Sequence, residues 1–189
     1  ATAAGNSERN VYRMNPDGTG LELYYGSRSH DTGTDGATIQ FSHPRELPDG
    51  RILSVIRPFE VDDGGGDLVS IDAEHFVENL QPTAANAGLV GPAQVRTVVN
   101  DVRTDDGISP GGTFGAAFPL WDGTGRMFTV WSPCRLLDVD DKIVPCTAAA
   151  LAAPDARPAF PLYGVWIFDP VAGTQLPVFS PTQNVMVSE

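Results

Sequence analysis

Residues 10–23, NVYRMNPDGTGLEL, join two apolar-alternating runs through a tight polar turn, Asn-Pro-Asp-Gly. Residues 164–176, GVWIFDPVAGTQL, repeat the same plan, and residues 66–72, GDLVSID, repeat its first half. Proline presets the backbone for the second position of a turn, and glycine adopts the positive φ that some turns need. Each complete copy therefore predicts an antiparallel hairpin of two short strands.

Two further hairpins lie between these copies, and both turn on Asp-Gly. They are residues 47–53 (LPDGRIL) and 120–128 (LWDGTGRMF). Asp-Gly between apolar runs is a strong local signal for a hairpin. Short hairpins repeated along a chain are typical of a β-propeller, whose blades are four-stranded antiparallel sheets. We predict an all-β fold, an incomplete β-propeller of about two full blades and two partial ones with loop insertions.

The repeat also assigns a range to each blade within a single segment, residues 1–189. The predicted ranges are a partial blade at 10–25, a blade at 37–102 with an insertion at 72–92, a blade at 113–180 with an insertion at 133–162, and the start of another blade at 184–189. Propellers have at least about four blades. We therefore expect the chain to belong to a longer propeller or to associate with other copies.

The charge of the chain excludes one class of partner. It has 24 acidic and 12 basic residues, which give a net charge of −12. Such a surface repels phosphate backbones, so we predict no nucleic-acid partner. No apolar run approaches the roughly 20 residues that a membrane-spanning helix requires, so we predict no membrane span.

The two cysteines, Cys134 and Cys146, suggest a disulfide. Their separation fits neither a C-x-x-C redox pair nor a four-ligand zinc site. They flank one loop and could close it by a disulfide, or they could be two buried thiols. A disulfide requires an oxidising compartment, which predicts a periplasmic or extracellular protein.

The repeats resemble a known family. Residues 44–53 (PRELPDGRIL) followed by residues 67–72 (DLVSID) resemble the repeat of TolB-like periplasmic β-propeller proteins, with Leu-Pro-Asp-Gly where that family usually has Ser-Pro-Asp-Gly. Most of the chain is closer still to the propeller region of exported bacterial proteins like the hydrazine synthase alpha subunit; the segments that carry this resemblance are 39–59, 65–67, 121–126 and 131–135. The resemblance implies an extracytoplasmic propeller. It does not imply hydrazine chemistry, because the chain has no C-x-x-C-H motif for a covalent haem.

One acidic loop is a candidate cation site. Residues 60–67 (EVDDGGGD) offer several carboxylate oxygens, the ligands that Ca²⁺ prefers. The candidate ligands are Asp62, Asp63 and Asp67, and the alternative is an acidic loop in contact with solvent only. The loop lacks the twelve-residue calcium-binding pattern of helix–loop–helix proteins. We identify no other cofactor, and no catalytic or cofactor-binding residues.

The sequence is compatible with two arrangements of the three tryptophans, Trp121, Trp131 and Trp166. They could pack within the core, as tryptophans on strands usually do, or form an exposed platform for sugars or peptides.

The sequence thus predicts a non-catalytic binding or scaffold module of an exported bacterial protein. Its expected partners are other protein chains or the remainder of a longer propeller. One alternative is an accessory segment of a larger redox or hydrolytic enzyme complex. Another is a structural subunit that assembles into a homo-oligomer through the open edges of its blades.

Overall fold

The structure is a computed structural model, and it describes residues 10–25, 39–58, 65–74, 93–104 and 107–180. The fold is all-β, as predicted, with thirteen strands and one short helix in these residues. The elements are β1 Val11–Arg13, β2 Glu22–Tyr25, β3 Ile39–Glu46, β4 Ile52–Pro58, β5 Asp67–Ile71, β6 Gln94–Arg96, β7 Thr113–Pro119, β8 Met127–Ser132, β9 Arg135–Leu137, β10 Ile143–Pro145, α1 Ala148–Leu151, β11 Arg157–Pro158, β12 Gly164–Asp169 and β13 Thr174–Phe179.

The strands form four separate antiparallel sheets. Strands β1 and β2 pair as the N-terminal hairpin, and β3-β4-β5-β6 pair in chain order as the first sheet. The second sheet has the order β7-β8-β12-β13, and the insertion sheet has the order β10-β9-β11. The described residues thus contain two four-stranded meanders and no closed ring of blades.

The turns form where the sequence predicts them. Gly50 and Gly123 have φ values of 85° and 79°, which L-residues with a side chain rarely adopt. In each turn the aspartate before the glycine accepts a hydrogen bond from the backbone N–H two residues further on, at Arg51 (3.1 Å) and Thr124 (3.0 Å). This bond closes the turn and fixes the register of the two strands beside it.

The first sheet is buried on both faces. Along β4, Leu53 and Val55 point into one apolar cluster, and Ile56 points into another. On β5, Leu68 joins the first cluster while Val69 joins the second. An unbroken apolar run bounded by turn residues is what such a doubly covered strand requires.

The sheets are stacked in the order of the chain. The N-terminal hairpin covers one face of the first sheet through Val11 and Tyr25. The second sheet covers the other face through Phe114, Met127 and Phe168. Trp131 packs against this cluster while it remains partly exposed. Each interface is an apolar layer between two sheets, the usual way in which sheets bury their faces.

A backbone bridge also joins the two four-stranded sheets. The Gly66 N–H donates to the Phe114 carbonyl, and the Phe114 N–H donates back to the Gly66 carbonyl, both at 2.9 Å. Gly66 precedes β5 and Phe114 lies in β7. A Cβ on Gly66 would overlap the carbonyl group of Ile56 in β4, so the backbone of residue 66 can lie this close to β4 only because residue 66 is glycine.

Two parts of the fold differ from the sequence prediction. In the blade predicted at 37–102, the part after the insertion contributes only the short strand Gln94–Arg96 to the first sheet. The insertion at 133–162 contains regular structure that was not predicted, namely the insertion sheet and one short helix. The helix begins at Thr147, whose hydroxyl accepts a hydrogen bond from the Ala150 N–H at 3.2 Å.

Candidate functional site

One face of the second sheet is not covered by any other sheet of the described residues, and we call it the outer face. Strand register defines it. Phe118 pairs with Phe128, Phe128 with Ile167, and Ile167 with Leu176, so one apolar row crosses all four strands. A second row, parallel to the first, is formed by Ala116, Val130, Val165 and Phe179. Side chains of directly paired residues lie on the same side of a sheet.

The outer face is partly open to solvent, although Ala116 in its second row is buried. Leu176 is 65% exposed, Phe179 46% and Phe128 37%. The opposite face of the same sheet is closed, with Met127 2% and Phe168 5% exposed. Of the two faces of the second sheet, the outer face thus has the more exposed large apolar side chains.

The second sheet is also almost free of charge. Its four strands, of 7, 6, 6 and 6 residues, contain one ionisable side chain, Asp169. The chain as a whole is 19% charged. By strand alternation Asp169 shares the outer face with Ile167, and the guanidinium of Arg45 from β3 lies 4.9 Å from the Phe118 ring. A contiguous apolar surface with so few charges is typical of a surface that another protein element covers.

The N-terminal hairpin has a smaller apolar surface at the other end of the stack. Its exposed side chains include Tyr12, Met14, Leu21 and Leu23, each more than half exposed. Tyr12 and Leu23 are cross-strand partners, so they lie side by side. Both ends of the stack of sheets are therefore apolar.

The predicted cation ligands are not seen together. Asp62 and Asp63 lie outside the described residues. Asp67 is buried, and its carboxylate accepts hydrogen bonds from the Leu68 N–H and from Nε of Arg96. Because a guanidinium already neutralises Asp67, a second cation at this carboxylate would meet repulsion. No group of three or more His, Cys, Asp or Glu side chains in the described residues could hold a metal ion.

Burial of Asp67 and its pairing with Arg96 shift the pKa of its carboxyl group in opposite directions. Burial raises the pKa of its carboxyl group, and the hydrogen bond and charge of Arg96 partly offset this increase. The pKa values of the aspartates in the two Asp-Gly turns are instead lowered. The side-chain hydrogen bond from Arg51 lowers the pKa of Asp49, and the side-chain hydrogen bond from Thr124 lowers the pKa of Asp122.

The cysteines are close enough to be bonded. Cys134 and Cys146 form a disulfide with Cα atoms 5.6 Å apart, in line with the predicted pairing. The bond ties the start of the insertion to the segment that leads into its helix, and so closes this loop on itself.

The tryptophans divide between the two alternatives. Trp131 and Trp166 are in edge-to-face contact, with ring centroids 5.0 Å apart, and Trp166 donates its indole N–H to the Trp131 carbonyl. Trp121 is 66% exposed and lies in a turn. The rings do not form a common exposed platform.

Comparison with known proteins assigns no family. The chain matches no protein-family model, no curated protein and no solved structure. The resemblance to TolB-like and hydrazine synthase-like propellers thus stays a prediction. No helix in the described residues is long and apolar enough to cross a membrane.

The outer face was not predicted from the sequence. One part of the signal was present, because the runs at 113–119, 127–132 and 174–179 contain no charged residue. The strand register could not be predicted, because it depends on which strands become neighbours across the insertion. This register aligns Phe118, Phe128, Ile167 and Leu176.

Proposed function

We propose that the chain is a non-catalytic scaffold or binding module of an exported protein, a segment of a β-propeller whose outer face is covered by a further sheet. The observation that carries this proposal is the apolar outer face of the second sheet, whose four strands carry one ionisable side chain, Asp169. The partner sheet belongs to other protein chains or to the remainder of a longer propeller.

The stacking order supports the propeller assignment. Blades of a propeller are four-stranded antiparallel meanders that pack face to face. The first and second sheets have this connectivity, and their first strands, β3 and β7, are in contact with each other. Continuation of this arrangement would place the next sheet on the outer face.

The size of the outer face supports the same conclusion. Four strands about 4.8 Å apart and about six residues long cover roughly 400 Å² in projection. Apolar patches of a few hundred Å² on soluble proteins commonly mark interaction sites. The disulfide agrees with an exported protein, since disulfides persist in oxidising compartments.

Sedimentation analysis of the 189-residue chain tests the proposal. We expect a mass above the monomer value of 20.1 kDa at micromolar concentration, because the outer face associates when no partner sheet is supplied. Phe128→Asp, which places a charge in the apolar row, should restore the monomer. Phe160→Asp is the matched control, since Phe160 is 84% exposed but lies outside the second sheet. A wild-type chain that stays monomeric and stable at 100 µM, a concentration of the order used in such assays, would contradict the proposal.

Self-assembly is a second candidate function, and the apolar surface of the N-terminal hairpin favours it. If that hairpin packs on the outer face of another copy, the contact is head-to-tail and generates a ring or a filament. Leu23→Asp would then abolish association as Phe128→Asp does. Association that survives Leu23→Asp but not Phe128→Asp excludes the head-to-tail contact and leaves the outer face as the only site involved.

A further inference from the structure

A groove lies between the two four-stranded sheets, at the end where their Asp-Gly turns project. Its volume is about 470 Å³. One wall comprises the turn that leads into β4 together with the edge strand β6, and the other comprises the β7–β8 turn and the start of the β12–β13 turn. The volume is within the range of small-molecule and peptide sites. The groove is separate from the outer face.

Basic residues outnumber acidic ones in the lining of this groove, although each arginine pairs with an aspartate: Arg51 with Asp49, Arg96 with Asp67 and Arg126 with Asp122. Three basic residues line it, Arg51, Arg96 and Arg126, and one acidic residue, Asp49. In the whole chain acidic residues outnumber basic ones by 24 to 12. The remaining lining is largely apolar and includes Leu47 and Leu120. The groove thus combines guanidinium groups with apolar contact surface.

The three arginines are held in place by internal contacts. Arg51 binds Asp49 and the Ser70 hydroxyl, with Nη2 2.7 Å from the carboxylate and Nη1 3.2 Å from the hydroxyl. Arg96 binds the buried carboxylate of Asp67. Their side chains nevertheless remain 43% and 49% exposed.

Arg126 is held in the same way on the opposite wall. Its Nε donates to the Thr124 hydroxyl at 3.0 Å, and Nη2 lies 3.4 Å from the Asp122 carboxylate. A guanidinium has five N–H donors, and these internal contacts engage no more than three on any of the three arginines. Fixed side chains with donors to spare lose little conformational entropy when a ligand binds.

We propose that this groove binds a carboxylate-bearing ligand with an apolar part. Guanidinium groups pair with carboxylates through two parallel N–H···O bonds, and the apolar lining contacts the rest of the ligand. The ligand is either an acidic peptide segment or a small polycarboxylate, and both satisfy the same chemistry. Recognition of acidic segments by arginine clusters is a known mode of peptide binding.

Fluorescence anisotropy on the full chain tests this site. The probe is a labelled Glu-Leu-Glu-Leu-Glu peptide, and the matched peptide replaces each Glu with Gln. We expect the Glu peptide to bind, the Gln peptide to bind at least tenfold more weakly, and the affinity to fall as salt is raised. Unlabelled citrate, titrated by calorimetry and used as a competitor, tests the small polycarboxylate.

Substitutions locate the binding. Arg51→Gln and Arg126→Gln should each weaken binding about tenfold, as expected for the loss of one charge-assisted hydrogen-bonded pair. Arg126→Lys keeps the charge and the turn but loses the forked geometry, so it should also weaken binding. Arg157→Gln is the control, because Arg157 is 55% exposed and pairs with Asp141 in the insertion.

Each outcome decides the proposal. Binding of the Glu peptide, of citrate or of both supports it and identifies the source of the carboxylate. Failure of both ligands at millimolar concentration overturns it, and so does an equal effect of Arg157→Gln and Arg126→Gln. Urea midpoints of all variants should match the wild type, which separates loss of binding from loss of folding. The outcome does not depend on what covers the outer face.

Discussion

Replacement of Gly66 by alanine should separate the two four-stranded sheets. Gly66 lies where the segment before β5 crosses β7, and an added Cβ would overlap the Ile56 carbonyl oxygen and lie 2.6 Å from the carbonyl carbon. It would also lie 2.8 Å from the Arg57 Cβ. The Ile56 carbonyl belongs to β4 inside the first sheet, so it has little freedom to move away. Residue 66 must therefore move away from β4, and we expect this shift to break its bridge to Phe114.

The cost can be worked from these contacts. The two hydrogen bonds between Gly66 and Phe114 contribute about 1 kcal/mol each. Steric overlap in a closely packed layer adds about 1–3 kcal/mol. We expect the free energy of unfolding to fall by about 3–5 kcal/mol, which corresponds to a decrease in Tm of roughly 10 °C for a chain of this size. Urea unfolding followed by tryptophan fluorescence measures it, because Trp131 packs against the layer that would open.

Gly123→Ala is the matched control for backbone conformation. Gly123 has a φ of 79° with no atom within 4 Å of an added Cβ, so its substitution costs only the strain of a left-handed residue, about 1–2 kcal/mol. If Gly66→Ala were no more destabilising than Gly123→Ala, close approach of the backbones would not be what requires glycine at position 66.

Three further predictions concern stability. Replacement of both Cys134 and Cys146 by serine should lower the free energy of unfolding by about 3 kcal/mol, and an unchanged urea midpoint would show that the closed loop contributes nothing. Leu53→Ala should cost about 2–5 kcal/mol by calorimetry, since Leu53 is buried between the two sheets, and a loss below 1 kcal/mol would mean that the layer collapses around the cavity. Burial holds the pKa of Asp67 above its ordinary value despite Arg96, so in the interval between the two pKa values the folded state binds a proton that the unfolded state does not. The free energy of unfolding should therefore fall as pH rises through that interval, relative to Asp67→Asn, in urea titrations from pH 3 to 7; an equal pH dependence of the two proteins would refute the shift.

The sequence was most informative at the turns. Asp-Gly at 49–50 and at 122–123 predicts two hairpins, and these turns join β3 to β4 and β7 to β8 in the structure. These turns are local, because a positive φ and an aspartate hydrogen bond depend on two or three adjacent residues. The alternation of apolar residues then predicted all-β structure without knowledge of the partners of each strand.

What could not be predicted depends on contacts between distant residues. Pro44 can lie inside β3 because a bulge between Ser42 and Arg45 removes it from the ladder. His43 adopts a φ of 54° at this bulge. The pairing of Arg96 with Asp67 joins positions 29 residues apart, so no local pattern indicated that this candidate cation ligand is held by a guanidinium.

The insertion between β8 and β12 has a consequence for how this fold can vary. Its flanks, Trp131 and Gly164, are directly paired across neighbouring strands, and the Leu162 N–H donates to the Ser132 hydroxyl at 2.7 Å. The chain thus leaves the second sheet and re-enters it at nearly the same point. Segments of very different length can therefore be exchanged at this position without any change in the separation of the strands. This position is thus suited to the insertion of another domain.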